Sequence, residues 1–210
     1  MLMKYLYTLL SFLLLGGGLF ARQPLNRYID ANRIYLDSRH GLGGELDWRM
    51  MKAGDVDEQA EKISRTTYDD SRWLPAIVPG TVLNSLVHNG VYPEPYYGIN
   101  NKLEKGIIPD ISKVGRDFYT YWFRTDFDIP ANYKDKVIWL QVDGINYRAE
   151  VWVNGNLLST INGMFKQDFI NITEYACIGE SNALAIKVYP VDMPGTTAVS
   201  YTHLTLPTNR

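Results

Sequence analysis

A single cysteine, Cys177, stands in 210 residues, so no internal disulfide framework can staple a loop-rich fold. It lies in an apolar run, Tyr175-Ala176-Cys177-Ile178, which predicts a buried, inert thiol rather than a nucleophile. The three histidines, His40, His88 and His203, are far apart, and none has a second ligand at metal-binding spacing. Neither HExxH, GxSxG, CxxC nor Gly-x-x-x-x-Gly-Lys-Ser/Thr occurs. Gly41-Leu42-Gly43-Gly44 lacks the strand-to-helix context of a nucleotide loop and reads as an ordinary loop. No metal site and no cofactor is expected. Basic excess is missing as well: 21 Lys and Arg stand against 23 Asp and Glu, for a net charge of −2. That balance argues against nucleic acid or an anionic membrane surface as partner.

A long hydrophobic run is also missing. Tyr5 to Leu15 is apolar, but Gly16-Gly17-Gly18 interrupts it before it reaches the length of a spanning helix. With Lys4 ahead of it and Ala21 offering a small residue after it, the segment reads as a signal peptide over residues 1–21. An exported protein is expected, periplasmic or secreted, with no membrane association after cleavage. Residues 22–199 then form one domain. The final YTHLTLPTNR resembles a peptide produced when sequencing-adapter DNA is translated, so residues 200–210 are expected to be an artefactual tail.

Aromatics are abundant, with fifteen Tyr, seven Phe and five Trp. They suit β-structure and sugar binding alike. The organising stretch is Val137 to Leu158, VIWLQVDGINYRAEVWVNGNLL. Ile138, Leu140 and Val142 alternate with Trp139, Gln141 and Asp143; after Gly144, Ala149, Val151 and Val153 alternate with Glu150, Trp152 and Asn154. Asn154-Gly155 supplies the two positive-φ residues of a type I′ hairpin, and Leu157 and Leu158 begin the return strand.

Further strands are expected at Arg33 to Leu36, Asp47 to Met51, Asp117 to Phe127, Phe165 to Ile172 and Asn182 to Val188. In the third of these, Phe118, Thr120, Trp122 and Arg124 face one way, and Tyr119, Tyr121, Phe123 and Thr125 the other. Asp55 to Ile63 reads as a solvated turn or a single helical turn. Val82 to Asn89 has helical spacing, with Thr81 as N-cap and Gly90 as a left-handed stop. His88 reads as a surface residue, and Asn171-Ile172-Thr173 as an Asx turn or a formal glycosylation acceptor. Pro93 to Asn101, PEPYYGINN, is a loop carrying two adjacent tyrosines. Many short strands with turn signals every ten or so residues give the fold class: all-β, an antiparallel jelly-roll β-sandwich with one or two short helices.

The words GINYRAEVWVNGNLL, then Gly163, Phe165, Phe169, Asn171-Ile172-Thr173 and the strand Asn182 to Val188, resemble the N-terminal domain of glycoside hydrolase family 2. VPGTVLNSLVHNGVYPEPYYGINN and DFYTYWFRTDF match upstream. Within the family the combination resembles the exo-β-glucosaminidase and β-mannosidase branch, and the likeness covers roughly residues 30–195. The resemblance implies a galactose-binding-like jelly roll that precedes an immunoglobulin-like domain and a catalytic (β/α)₈ barrel carrying two glutamates. A barrel of about 250 residues does not fit in this chain beside a sandwich, and the family's Asn-Glu dipeptide does not occur. No catalytic residue is therefore assigned, and the chain alone is expected to be inactive. The resemblance implies carbohydrate, a β-linked glucosaminide or mannoside, as partner. It places sugar contacts in the PYYGINN loop, with Asn100 or Asn101 bonding a hydroxyl and Tyr97 packing on the ring. Ordering the turn is the competing role for these three. Glu150 reads as outward or salt-bridged, Asn146, Tyr147 and Arg148 as ties for the crossover loop, and Trp122, Trp139 and Trp152 as core or interface aromatics. A free-standing carbohydrate-binding module is the alternative reading of the whole chain; a structural or adhesion sandwich is a weaker third.

Overall fold

The structure, a computed structural model, describes residues 29–30, 32–38, 47–102 and 106–191. The expected signal peptide and artefactual tail lie outside the described residues. In chain order the elements are β1 (Ile29–Asp30), β2 (Arg33–Ile34), β3 (Trp48–Lys52), α1 (Ala60–Ile63), β4 (Leu74–Ala76), α2 (Val82–His88) and α3 (Ile111–Val114). They continue with β5 (Tyr121–Asp128), β6 (Trp139–Val142), β7 (Arg148–Val153), β8 (Asn156–Asn162), β9 (Asp168–Asn171) and β10 (Ser181–Tyr189). The main sheet has six strands in the order β4-β3-β5-β10-β7-β8. β6 and β9 form a two-stranded sheet, β1 and β2 another, and every pairing is antiparallel. This is the expected antiparallel β-sandwich of galactose-binding type.

Local sequence explains the hairpin and the helix. On β7, Ala149, Val151 and Val153 are fully buried while Arg148, Glu150 and Trp152 are half-buried, as a period of two requires. Asn154 (φ +48°) and Gly155 (φ +89°) then reverse the chain into β8. The Thr81 hydroxyl accepts the Asn84 N–H at 2.8 Å and so satisfies an orphan donor of α2. Gly90, at φ +71°, ends that helix as expected.

The main core joins both sheets. Phe123, Val151, Leu184 and Ile186 from the six-stranded sheet meet Val142 and Ile170 from β6 and β9. Burying each of these apolar side chains contributes about 1.5–3 kcal/mol before conformational entropy is counted. The other face of the main sheet is also covered. Residues 53–73 fold back over it, so Ile63 and Trp73 pack on Trp122 and Ala185, with Tyr68 and Trp152 at the margin. β5 is consequently buried on both faces, with Trp122 and Arg124 on one side and Tyr121, Phe123 and Thr125 on the other.

β6 and β7 are consecutive yet do not pair, because buried Gly144 and Ile145 carry the chain from the small sheet across to the large one. Four details depart from the sequence reading. The strand expected from Asp117 starts at Tyr121; residues 117–119 wind into a 3₁₀ turn closed by Thr120 N–H on the Asp117 carbonyl. β2 and β9 are shorter than expected, at two and four residues. The described residues hold three short helices rather than one or two, the longest being α2 with seven residues. Cys177 is exposed, not buried. Its neighbours Ala176 and Ile178 turn inward onto the core, which aims the residue between them at solvent.

Candidate functional site

The tyrosine loop begins where α2 ends. Ser85 on that helix accepts the Ile77 N–H at 3.0 Å, and the Asn89 amide donates to the Pro75 carbonyl at 2.8 Å. Both bonds seat α2 against β4, the edge of the main sheet. Beyond Gly90 the chain forms a series of tight turns: Tyr97 N–H to Glu94 O at 3.2 Å, Asn100 N–H to Tyr97 O at 3.3 Å, and Lys102 N–H to Ile99 O at 3.0 Å. Gly98 takes φ +59°, which an L side chain rarely adopts. The return is anchored by Ile108 and Ile111, both buried, and by the Tyr119 hydroxyl donating to the Pro109 carbonyl.

Asn100 is the keystone of this loop. Its side-chain amide donates to the Glu94 carbonyl at 2.9 Å. Its backbone carbonyl accepts the N–H groups of Ile107 and Ile108 at 3.0 and 3.2 Å. Tyr97 and Asn101 stand outward instead; Tyr97 is 77% exposed and its neighbour Tyr96 93%. The fold thus brings Tyr97, Asn100 and Asn101 into one hydrogen-bonded loop, with an aromatic ring and an amide on its surface. An exposed phenol ring offers a flat apolar face plus a hydroxyl, the combination that suits a sugar ring.

The carboxylates that define buried chemistry are engaged elsewhere. Arg124, 1% exposed, pairs with Asp70 and with Asp126, the latter at 2.8 Å. The same guanidinium donates to the Ile63 carbonyl at 2.9 Å and the Arg65 carbonyl at 2.7 Å. Glu150, expected as outward or salt-bridged, is half-buried and accepts the Tyr189 hydroxyl at 2.7 Å and the Trp152 indole N–H at 3.4 Å. Burial, and after it this carboxylate, push the Tyr189 phenol above its ordinary value. Burial pushes Tyr121 up to about 12, with smaller contributions from Tyr92 and Asp55. These shifts run away from neutrality, opposite to what proton transfer near pH 7 needs. Among the described residues no group of three His, Cys, Asp or Glu is placed to hold a metal ion.

The crossover ties expected of Asn146, Tyr147 and Arg148 fall mainly on Tyr147. Its N–H donates to the Tyr189 carbonyl at 3.3 Å, and its carbonyl accepts the Gly163 N–H at 2.9 Å. The Arg148 guanidinium lies 4.5 Å from the Tyr189 ring centroid. Trp122 is core and Trp152 half-buried, whereas Trp139 lies on an open sheet face. Register sets it opposite Asn171 and diagonal to Phe169, residues some thirty positions away that period-two spacing alone does not bring together.

Residues 48–202 match the sequence model described as glycosyl hydrolase 2 galactose-binding domain-like. The chain is 41% identical over 123 residues to mannosylglycoprotein endo-beta-mannosidase of Lilium longiflorum, a match covering 59% of this chain and 12% of that enzyme. It is 29% identical over 133 residues to exo-beta-D-glucosaminidase of Amycolatopsis orientalis, covering 62% of this chain and 12% of the relative. The crystal structure of Amycolatopsis orientalis exo-chitosanase CsxA superposes with a TM-score of 0.59 at 28% identity, over 69% of this chain and 16% of that one. The chain therefore spans only about an eighth of the length of the curated relatives it matches.

Proposed function

This chain belongs to the glycosyl hydrolase 2 family through its galactose-binding-like domain, and from that premise we propose that it is the N-terminal sugar-binding domain of an exported β-glycosidase of exo-β-glucosaminidase or β-mannosidase type. The supporting observation is the 41% identity to an endo-β-mannosidase. Hydrolysis of the glycosidic bond then belongs to a (β/α)₈ barrel in the rest of the parent chain. Two glutamates there, about 5 Å apart, act as acid/base and nucleophile of a retaining mechanism. An immunoglobulin-like domain links the two.

In this reading the domain positions substrate and does not break bonds. The turn-bound loop holds Tyr97 against the terminal sugar ring, and Asn101 bonds a hydroxyl. Asn100 keeps the loop in shape, since its amide already donates to Glu94. The exposed tyrosines also favour a second reading, a carbohydrate-binding module that works without an attached barrel.

The test is turnover of chromogenic β-glucosaminide and β-mannoside. The 210-residue chain is expected to release no chromophore, while the product of an extended reading frame hydrolyses one of the two. Tyr97→Ala in that extended enzyme should raise KM about tenfold with kcat little changed. Turnover by the short chain, or an extended product inactive on both substrates, sinks the reading.

A further inference from the structure

The open face of the β6–β9 sheet carries a second array of aromatic and amide groups, remote in sequence from the tyrosine loop. Register pairs Trp139 with Asn171 and Gln141 with Phe169. Cross-strand partners point the same way, and the exposure of all four shows that way to be outward. Trp139 is 55% exposed and Phe169 58%. The two residues are diagonal neighbours, their backbones roughly 7–8 Å apart by sheet geometry.

Asp143 and Gln167 extend this face by one step. The Gln141 amide donates to Asp143 Oδ1 at 2.6 Å and the Gln167 amide donates to the same oxygen at 2.7 Å. The inward side of the same strands is different in kind, with Val142 and Ile170 in the core. Lys166, beside the array, is paired with Asp168 at 2.9 Å. Two aromatic rings therefore lie beside three amides and a carboxylate that accepts hydrogen bonds from two of those amides.

We infer that this face is a binding surface for a β-linked hexoside oligosaccharide, separate from the loop site. Its chemistry selects that occupant over the others. A dry protein interface would strip water from Asp143 and three side-chain amides, and aliphatic surface returns no hydrogen bonds to them. A pyranoside brings hydroxyls that replace that water and an apolar ring face that stacks on Trp139 and Phe169. Asn171 adds its amide at the Trp139 end; its own Oδ1 accepts from Thr173 N–H at 3.0 Å.

The test is titration of the full chain with a β-linked mannooligosaccharide, followed by tryptophan fluorescence and by calorimetry. Saturable binding is expected, weakened about tenfold or more by Trp139→Ala and by Phe169→Ala. Both substitutions lie at exposed positions, so thermal midpoints close to the parent's certify that the variants are folded. Three results overturn the surface: no binding, binding indifferent to both ring deletions, or a concentration-dependent dimer that Trp139→Ala abolishes. Loss with Tyr97→Ala alone assigns the sugar to the loop, so this inference can fail while the proposed function stands.

Discussion

Phe123 and Arg124 are neighbours on β5 and point to opposite faces of one sheet, yet they are held by opposite means. Phe123 sits among Val151, Ile186 and Ile170, a cluster drawn from both layers of the sandwich. Arg124 sits under residues 53–73, which bring only Ile63 and Trp73 as fully buried apolar groups, with Ala53, Val56, Ala60 and Tyr68 partly buried beside them. The deficit is met by one guanidinium that binds two carboxylates and two carbonyls. Apolar contact is non-directional and tolerates rearrangement, whereas a buried charge holds only while every partner is present. One face of the sheet is secured by area and the other by stoichiometry.

The sharpest break of this comparison is Arg124→Ala. It leaves Asp126 buried without its cation and releases the carbonyls of Ile63 and Arg65, so unfolding free energy should fall by about 3–5 kcal/mol. Arg124→Met, which restores volume but not charge, should fall nearly as far in the same urea titration. A loss below about 1 kcal/mol in both would mean the guanidinium is not what holds residues 53–73. On the apolar face, Ile186→Ala should cost about 2–4 kcal/mol through lost burial and a residual cavity. Conservative refilling with Val should recover much of it.

Alkali probes the core face in a second way. Tyr121, on the core face, has its phenol raised from 10.0 to about 12 by burial. Folding therefore favours the neutral form: the contribution is intact below pH 10 and is lost as pH climbs toward 12. Tyr121→Phe should flatten that alkaline decline by ~1–2 kcal/mol, and an unchanged slope would show that the phenol titrates alike in the folded and unfolded chain. The smallest effects belong to the loop. Asn100→Ala should lower stability by about 1 kcal/mol through its lost bond to Glu94, and Tyr97→Ala by less than about 0.5 kcal/mol. Equal losses would erase the division between a residue that shapes the loop and one displayed by it.

What could be read from sequence was what is local. Asn154-Gly155, Thr81 and Gly90 declare a turn, a cap and a stop within a few residues of where they act, and the structure has all three. The alternation of β7 declares its buried face in the same way. Arg124 and Asp70 are 54 residues apart, and no short pattern joins them. Residues 55–63 read as a solvated turn because their charges dominate, while the one fully buried side chain, Ile63, is hidden at their end. Cys177 was misread because apolar neighbours in sequence are not neighbours in direction. At the candidate site, the loop announced itself through paired tyrosines among Pro and Gly. The role of Asn100 inside it needed the Glu94 carbonyl, six residues away, to be seen.

Gly155 N–H donates to the Ser64 carbonyl at 3.1 Å, and a Cβ on Gly155 would meet the Arg65 guanidinium at 2.9 Å. The hairpin tip is thus roofed by chain made some ninety residues earlier. On a ribosome, residues 53–73 emerge long before β7 and β10 exist to receive them. Arg124 arrives next and can gather Asp70 and the carbonyls of Ile63 and Arg65, but Ala185 and the Gly155 tip follow only when nearly the whole domain has been synthesised. Closure of that roof marks completion of the sheet beneath it, so amide exchange at Gly155 reports whether the domain has finished folding.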